Sequence, residues 1–459
     1  MRKRNPLLAL LLMILVYMFS GAAYAIKTPV WEAPDEPAHY NYIAYLAEKG
    51  RFPVLQRGDY PHEYLEEIKA AQFPPEMFIA PIRYEFHQPP LYYLLAAPIY
   101  LATEPLTLAQ QVVALRIFSL LQGGALLIVA YLVVREVFPE SDFLPLASVA
   151  FIATVPMHIA MSAAINNDTL GELILALTVW QCLLAMKEGL RGERRLFLGL
   201  LLAAALLTKT TIYAPAIASI LVAALYLWRK GEASLRHLGL ILGMGLALSI
   251  WWFLRNGLVY GGFDIFGWAR HDAIVVGQPT TAEWMARYRA GKVVKDFFVI
   301  SFKSFWAVFG WMGVFVDSRI YDLLFLVSLA ALLGVGIYIK RLVRGSETLT
   351  APQRWGLSLS LLILILVAAS HLWYNFKFVQ HQGRYLFPAL IPIGLFFALG
   401  LREWARLLAR LTSLFLPLES HKAGLEYAAE RAVLALFYLT FLALDLVCLD
   451  RFIVPYFAP

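Results

Sequence analysis

The chain has 459 residues, 60% of them hydrophobic and 15% charged, with a mean hydropathy of +0.65. Soluble domains average about 45–50% apolar and 25% charged residues, so a soluble globular protein is excluded and a polytopic membrane protein is indicated. The formal net charge of +7 does not call for nucleic acid, because an excess of Lys and Arg is what cytoplasmic loops of a membrane protein carry.

Taken in chain order, apolar segments predict eleven spans near 7–26, 112–134, 143–164, 169–186, 196–208, 211–228, 238–257, 320–339, 355–374, 385–401 and 433–449. Most approach the ~20 residues that a helix needs to cross the bilayer. At the start, MRKRN, a short apolar core and GAAYA also imitate a signal peptide. The expected reading is a first span, and in either case the residues that follow lie outside. The two cysteines, Cys182 and Cys448, sit inside apolar runs and read as small buried hydrophobes, not as a disulfide or a metal pair.

Two segments are ambiguous by length. The run from Leu196 to Trp228 would reach ~50 Å as one helix, too long for a single upright span. Lys209 and Pro215 predict a hairpin of two short helices there. The segment Pro89 to Leu108 is apolar but holds Pro98, Glu104 and Pro105. With Arg2, Lys3 and Arg4 in the cytoplasm, eleven spans put the basic clusters at 187–195, 229–236, 340–344 and 402–410 on that same side. A twelfth span at Pro89 to Leu108 would place most of them outside, so that segment is expected to lie along the outer surface.

The predicted architecture is an all-α polytopic protein of the plasma (inner) membrane, with two long extracytoplasmic loops, 27–110 and 257–318, carrying surface helices. Residues 1–400 form the main unit, and 401–459 a cytoplasmic amphipathic segment plus the last span. Chemistry is expected outside. The sequence has no Gly-rich phosphate loop, no zinc-type Cys/His spacing and no solenoid repeat.

The first outer loop carries PDEPAHY, with Asp35 and Glu36 adjacent, and then YEFHQPPLYYLLAAP. If a helix starts near Pro37, both acids lie at its positive end, where they could simply cap it. The next outer loop carries INNDTLGE, with Asp168 and Glu172 where two spans meet. Ionisable groups at such a depth are costly and tend to mark function, although a cap role for Asn167 or Asp168 is the plain alternative. Asn167-Asp168-Thr169 matches a glycosylation sequon, but so short a loop hugs the membrane. The aromatic run SFWAVFGW reads as interfacial belt before it reads as a sugar-stacking surface.

The DE pair just outside the first span, the PPLYY segment, the acid in the second outer loop and RYLFPALIP near the end together resemble the GT-C glycosyltransferases. The likeness is to the branch with protein O-mannosyltransferases and lipid A aminoarabinose transferases, over roughly Met1 to Gly400. The resemblance implies an integral membrane enzyme that moves a sugar from a polyprenyl-phosphate carrier to an acceptor outside the cytoplasm, whether glycolipid, polysaccharide or protein. It assigns Asp35 as general base or its close partner, Asp168 as the second-loop acid, and Arg384 as a binder of the lipid phosphate. His87 and Gln88 stand where relatives carry a His directly before PPL, or a Glu-Lys pair contacting metal or phosphate.

Chemistry supports the same roles. Nucleotide sugars are not supplied outside the cytoplasm, so an activated donor must arrive on a lipid. An attacking hydroxyl needs a carboxylate to take its proton, worth ~10²- to 10⁴-fold in rate. The leaving phosphate needs cations, for which Arg384, Arg255 and Lys209 are candidates. Glu36 is read as an orienting or metal-binding partner. His39 shares a helical face with Asp35 and Glu36, and with His87 is the candidate ligand pair for a divalent metal (Mg, Mn or Zn). A transporter or flippase is the rival reading. It predicts ionisable residues inside several spans, and the chain shows mainly Arg116, His158 and Asp445.

Overall fold

The computed structural model describes residues 6–232, 235–415 and 422–458, so the basic residues Arg2, Lys3 and Arg4 lie outside the described residues. The protein is a helical bundle, the form in which a chain in lipid satisfies its own backbone hydrogen bonds. Helix α1 (Pro6–Lys27) leads into three short helices, α2 (Glu36–Lys49), α3 (His62–Ala70) and α4 (Leu91–Thr103). The 13 residues of α4 reach ~20 Å, short of the ~30 Å of hydrocarbon.

Long helices then alternate with breaks. Helix α5 (Leu108–Val137) is opened by a Thr107/Gln110 capping box. Helices α6 (Phe143–Ala153) and α7 (Pro156–Ser162) are bent by 68°. Pro156 at the start of α7 forces the break, since it offers no N–H to continue α6. The span expected at 143–164 is therefore a broken one. Helices α8 (Asp168–Glu188), α9 (Gly192–Leu206), α10 (Tyr213–Arg229) and α11 (Leu235–Tyr260) follow, with a 3₁₀ turn at Thr210–Ile212. The long apolar run thus divides beside Lys209, as its length demanded.

The second long interval holds α12 (Trp268–Ile274), α13 (Thr281–Arg287) and α14 (Ala290–Trp306), then a two-residue hairpin pairing Val308–Phe309 with Val314–Phe315. Helices α15 (Ser318–Val343), α16 (Ala351–Asn375), α17 (Leu390–Phe415) and α18 (Lys422–Val447) complete the bundle. Among the described residues nine helices are long and apolar enough to cross a membrane, ten with the bent pair. The eleventh expected span is α9, which has only 15 helical residues. The packed centre is formed by α5, α6, α8 and α17, with α1 against α5 and α9 against α11.

Candidate active site

Just beyond α1 the chain makes a tight turn in which Trp31 and Asp35 both take left-handed backbone conformations, φ 72° and 66°. An aspartate tolerates that region better than most residues, and strain of this kind persists only where surrounding structure holds it. Asp35 stands at the N-cap of α2 but makes no side-chain cap hydrogen bond. Its carboxylate instead accepts from Tyr84 Oη at 2.7 Å and from Arg384 Nη2 at 2.5 Å. The capping alternative therefore does not describe Asp35.

Arg384 lies on a 3₁₀ turn at Gly383–Ala389. A Cβ at position 383 would come within 2.2 Å of the Ser301 carbonyl and 2.3 Å of the Phe305 nitrogen. Only glycine lets this turn lie against α14, and Gly383 N–H donates to Ser304 Oγ at 2.7 Å. The next residue is thereby fixed. Arg384 Nε donates to Gln382 Oε1 at 2.7 Å, and its guanidinium lies 5.6 Å from the Tyr385 ring centroid.

A second acid and base pair stands close by. Asp168, the first residue of α8, is ion-paired with Lys209, whose ammonium also donates to Asn167 Oδ1 at 3.0 Å. The Asp168 N–H is held by Asn166 Oδ1 at 2.9 Å. Gln88 Oε1 receives Asn167 Nδ2 at the long distance of 3.5 Å. His39 shares a 2.8 Å hydrogen bond with Tyr93 Oη through Nδ1. Burial, opposed by the charge of Asp35, pushes the His39 imidazole down to about 3, so it is neutral at physiological pH.

Burial works to raise the Asp35 pKa, but the adjoining Arg384 charge and the hydrogen bonds from Arg384 and Tyr84 outweigh it and hold the carboxyl at about 2. Glu85, within the quoted YEFHQPP, is the residue that sequence reasoning passed over. Its Oε2 is buried without a hydrogen-bond partner. Burial and then the negative charge of Asp35 push it up to about 7, against the pull of Lys209. The only signal in the sequence was an acid two residues before His87, indistinguishable from a solvated loop residue.

Glu36, Arg255 and the histidine pair each make contacts that the sequence does not reveal. Glu36 is fully buried and gripped by Arg116, with Nε to Oε1 at 2.8 Å and Nη2 to Oε2 at 2.6 Å. It also accepts the Trp31 and Ile165 N–H groups, while Arg116 donates to the carbonyls of Ala25, Thr28 and Pro29. The pair ties α1, α5 and the loop before Asp168 together, so its role is to position the turn that carries Asp35. Arg255 is engaged elsewhere. Its guanidinium is taken up by the Phe52 and Pro53 carbonyls and stacks 4.8 Å from the Trp252 ring centroid.

The proposed ligand pair His39 and His87 is the third. His87 Nδ1 donates to the Tyr84 carbonyl at 3.0 Å and its ring lies 4.7 Å from that of His271, while His39 is engaged by Tyr93. Among the described residues no three His, Cys, Asp or Glu side chains converge as a metal site.

Solved structures share this fold. The chain is similar to ArnT from Cupriavidus metallidurans bound to undecaprenyl phosphate, at 15% identity and a TM-score of 0.52, over 97% of this chain and 73% of that one. It is also similar to the Archaeoglobus fulgidus oligosaccharyltransferase in the apo form, at 13% identity and a TM-score of 0.55, over 97% of this chain and 56% of that one. The same enzyme tethered to an acceptor peptide containing the NVT sequon gives 14% identity and a TM-score of 0.54, over 95% and 55%. The chain thus spans just over half the length of the oligosaccharyltransferase. These are GT-C glycosyltransferases, and the fold is theirs. No curated protein matches the chain. The model of the family DUF2142, described as a predicted membrane protein, matches residues 82–393, a stretch that holds Glu85, His87, Gln88, Asp168, Lys209 and Arg384, and the chain belongs to that family of membrane proteins.

Proposed function

We propose that the protein is a glycosyltransferase that takes a sugar from a polyprenyl-phosphate carrier and transfers it to an acceptor on the extracytoplasmic side of the plasma membrane. The observation that carries this reading is the pairing of Asp35 with Arg384 beside the pairing of Asp168 with Lys209. Two acids and two cations, all largely shielded from solvent, stand where the first and second outer loops meet. A phosphate and a sugar hydroxyl are the groups such a set can exchange for its own partners. ArnT, similar in fold, has been captured with undecaprenyl phosphate.

In the proposed step an acceptor oxygen or nitrogen attacks the anomeric carbon from the face opposite the phosphate. Its bond to carbon forms as the carbon–oxygen bond to the phosphate breaks, with inversion, and the electron pair leaves on the phosphate oxygen. The acceptor's proton passes to Asp35, and Arg384 and Lys209 receive the charge gained by the leaving group. Asp168 orients Lys209, and Gln88 supports Asn167 at the mouth of α8. Residues 1–400 supply these parts, with 27–110 and 257–318 as the outer intervals.

The transport alternative rests on ionisable groups within the bundle. Arg116 is spent on Glu36, and His158 on Glu172 at 3.0 Å, which leaves the Asp445 carboxyl without a hydrogen-bond partner among the described residues. The experiment is incubation of purified protein with labelled polyprenyl-phosphate sugars. Release of polyprenyl phosphate with label transferred to a cell-envelope acceptor is expected, and intact donor after exhaustive trials with hexosyl and pentosyl lipids would refute the reading.

A further inference from the structure

A cavity of about 1060 Å³ lies beside the N-terminal half of α1, whereas Asp35 lies beyond the other end of that helix. The 22 residues of α1 span ~33 Å, so this cavity is separate from the active site. One side of it is made by Leu8 and Leu12 of α1 and Leu439 of α18, all more than half exposed and so continuous with the lipid-facing surface. The other end is charged. Arg402 lines it with 7% of its surface exposed.

The Arg402 guanidinium is held between rings, 5.5 Å from the Tyr338 centroid and 5.9 Å from that of Phe138. Its Nε and Nη2, which form one edge of the guanidinium, make no hydrogen bond among the described residues, Nη2 having only the long ion pair to Glu347. The nearest carboxylate, Glu347, is 3.8 Å away and is taken by Arg341 and Arg406, as Glu403 is. A buried charge whose donors go unmet is costly, and this edge is the one that matches two oxygens of a phosphate. Facing the cavity are also Glu140 and Glu430, neither with an ion-pair partner among the described residues. They suit an ammonium.

We propose that this cavity binds a zwitterionic phospholipid, with the phosphate on the Nε/Nη2 edge of Arg402, a primary ammonium toward Glu140 and Glu430, and an acyl chain along Leu8, Leu12 and Leu439. The lipid would wedge α1 to α18 at the end of the bundle opposite the chemistry.

The test is native mass spectrometry of the full chain in mild detergent, titrated with phosphatidylethanolamine. One lipid retained per chain is expected, with retention reduced at least tenfold in Arg402→Gln. Leu12→Trp, at an exposed position where folding is not at stake, should block the apolar wall and reduce retention similarly. Parental retention in the folded Arg402→Gln protein, or in Leu12→Trp if the first does not fold, would overturn the proposal. Phosphatidylglycerol retained as tightly as phosphatidylethanolamine would overturn the headgroup assignment. Displacement by polyprenyl phosphate would give the cavity to the donor instead.

Discussion

Arg384 and Asp35 are separated by 349 residues and joined by a 2.5 Å hydrogen bond between Nη2 and Oδ2. In the proposed reaction this pair is what would let a carboxylate held at about 2 act as the base. Without donor, Arg384 neutralises it, and a base of that strength takes protons poorly. A lipid phosphate that draws Arg384 toward itself removes this counter-charge, and the basicity of Asp35 rises in the complex. Donor binding and base activation are then one event.

Removing the cation should therefore act on both. Arg384→Ala is expected to weaken binding of a polyprenyl-phosphate sugar about 30-fold or more, near the ~2 kcal/mol lower bound for truncating one partner of a buried charge pair. Equilibrium binding to the folded variant is the check. Arg384→Lys should recover only part, because a point charge cannot grip two oxygens as a guanidinium does.

Glu36 and Asp35 are neighbours with opposite expected phenotypes. Glu36→Gln leaves Arg116 buried beside a neutral partner, so it should cost about 3–5 kcal/mol of stability. The protein that does fold should keep most of its turnover. Thermal unfolding and transfer rate measured on the same preparation separate the two effects. A parental melting temperature with abolished transfer would move Glu36 into the chemistry.

Glu85 should titrate near neutrality. Its pKa is pushed from the ordinary 4.5 up to about 7, so the folded protein keeps a proton that the unfolded chain gives up across that window. Stability from this group is complete below pH 4.5 and declines as pH rises to about 7. Glu85→Gln, which mimics the protonated form, should flatten that slope. Infrared difference spectra should show a protonated carboxyl band that vanishes above pH 7 in the parent and is missing in the variant.

Topology turns on α9. Helix α8 spans 21 residues from Asp168, and Lys209, just past α9, returns to pair with Asp168. The chain between them therefore comes back the full depth of α8, part of it extended at Lys209, although α9 alone is short. Cysteines at Arg191 and Gln278 are expected to react with an impermeant reagent from opposite sides. Reaction from one side would mean that α9 does not cross.

Much of the fold was legible because lipid imposes a single rule, that apolar runs become helices. The hairpin at Lys209 followed from length, Lys209 and Pro215, and the exclusion of Pro89 to Leu108 as a span from the distribution of basic clusters. The bend at Pro156 was missed because hydropathy does not register a change of direction inside an apolar run. In the site, Asp35, Asp168 and Arg384 were visible as polar residues at outer ends of spans. The partner of Glu36, Arg116, lies 80 residues away and could not be read, since adjacency in sequence says nothing about which way a side chain turns. The contacts of Arg255 could not be read for the same reason, and Glu85 had no local mark at all.

The central claim is that Asp35 takes the acceptor's proton. Asp35→Asn keeps the size of the side chain and can still accept from Tyr84, while the base is gone. Single-turnover transfer from a labelled polyprenyl-phosphate sugar at saturating donor, by the folded variant below its melting temperature, measures the claim directly. The account predicts a fall of ~10²- to 10⁴-fold, and near-parental transfer would contradict it.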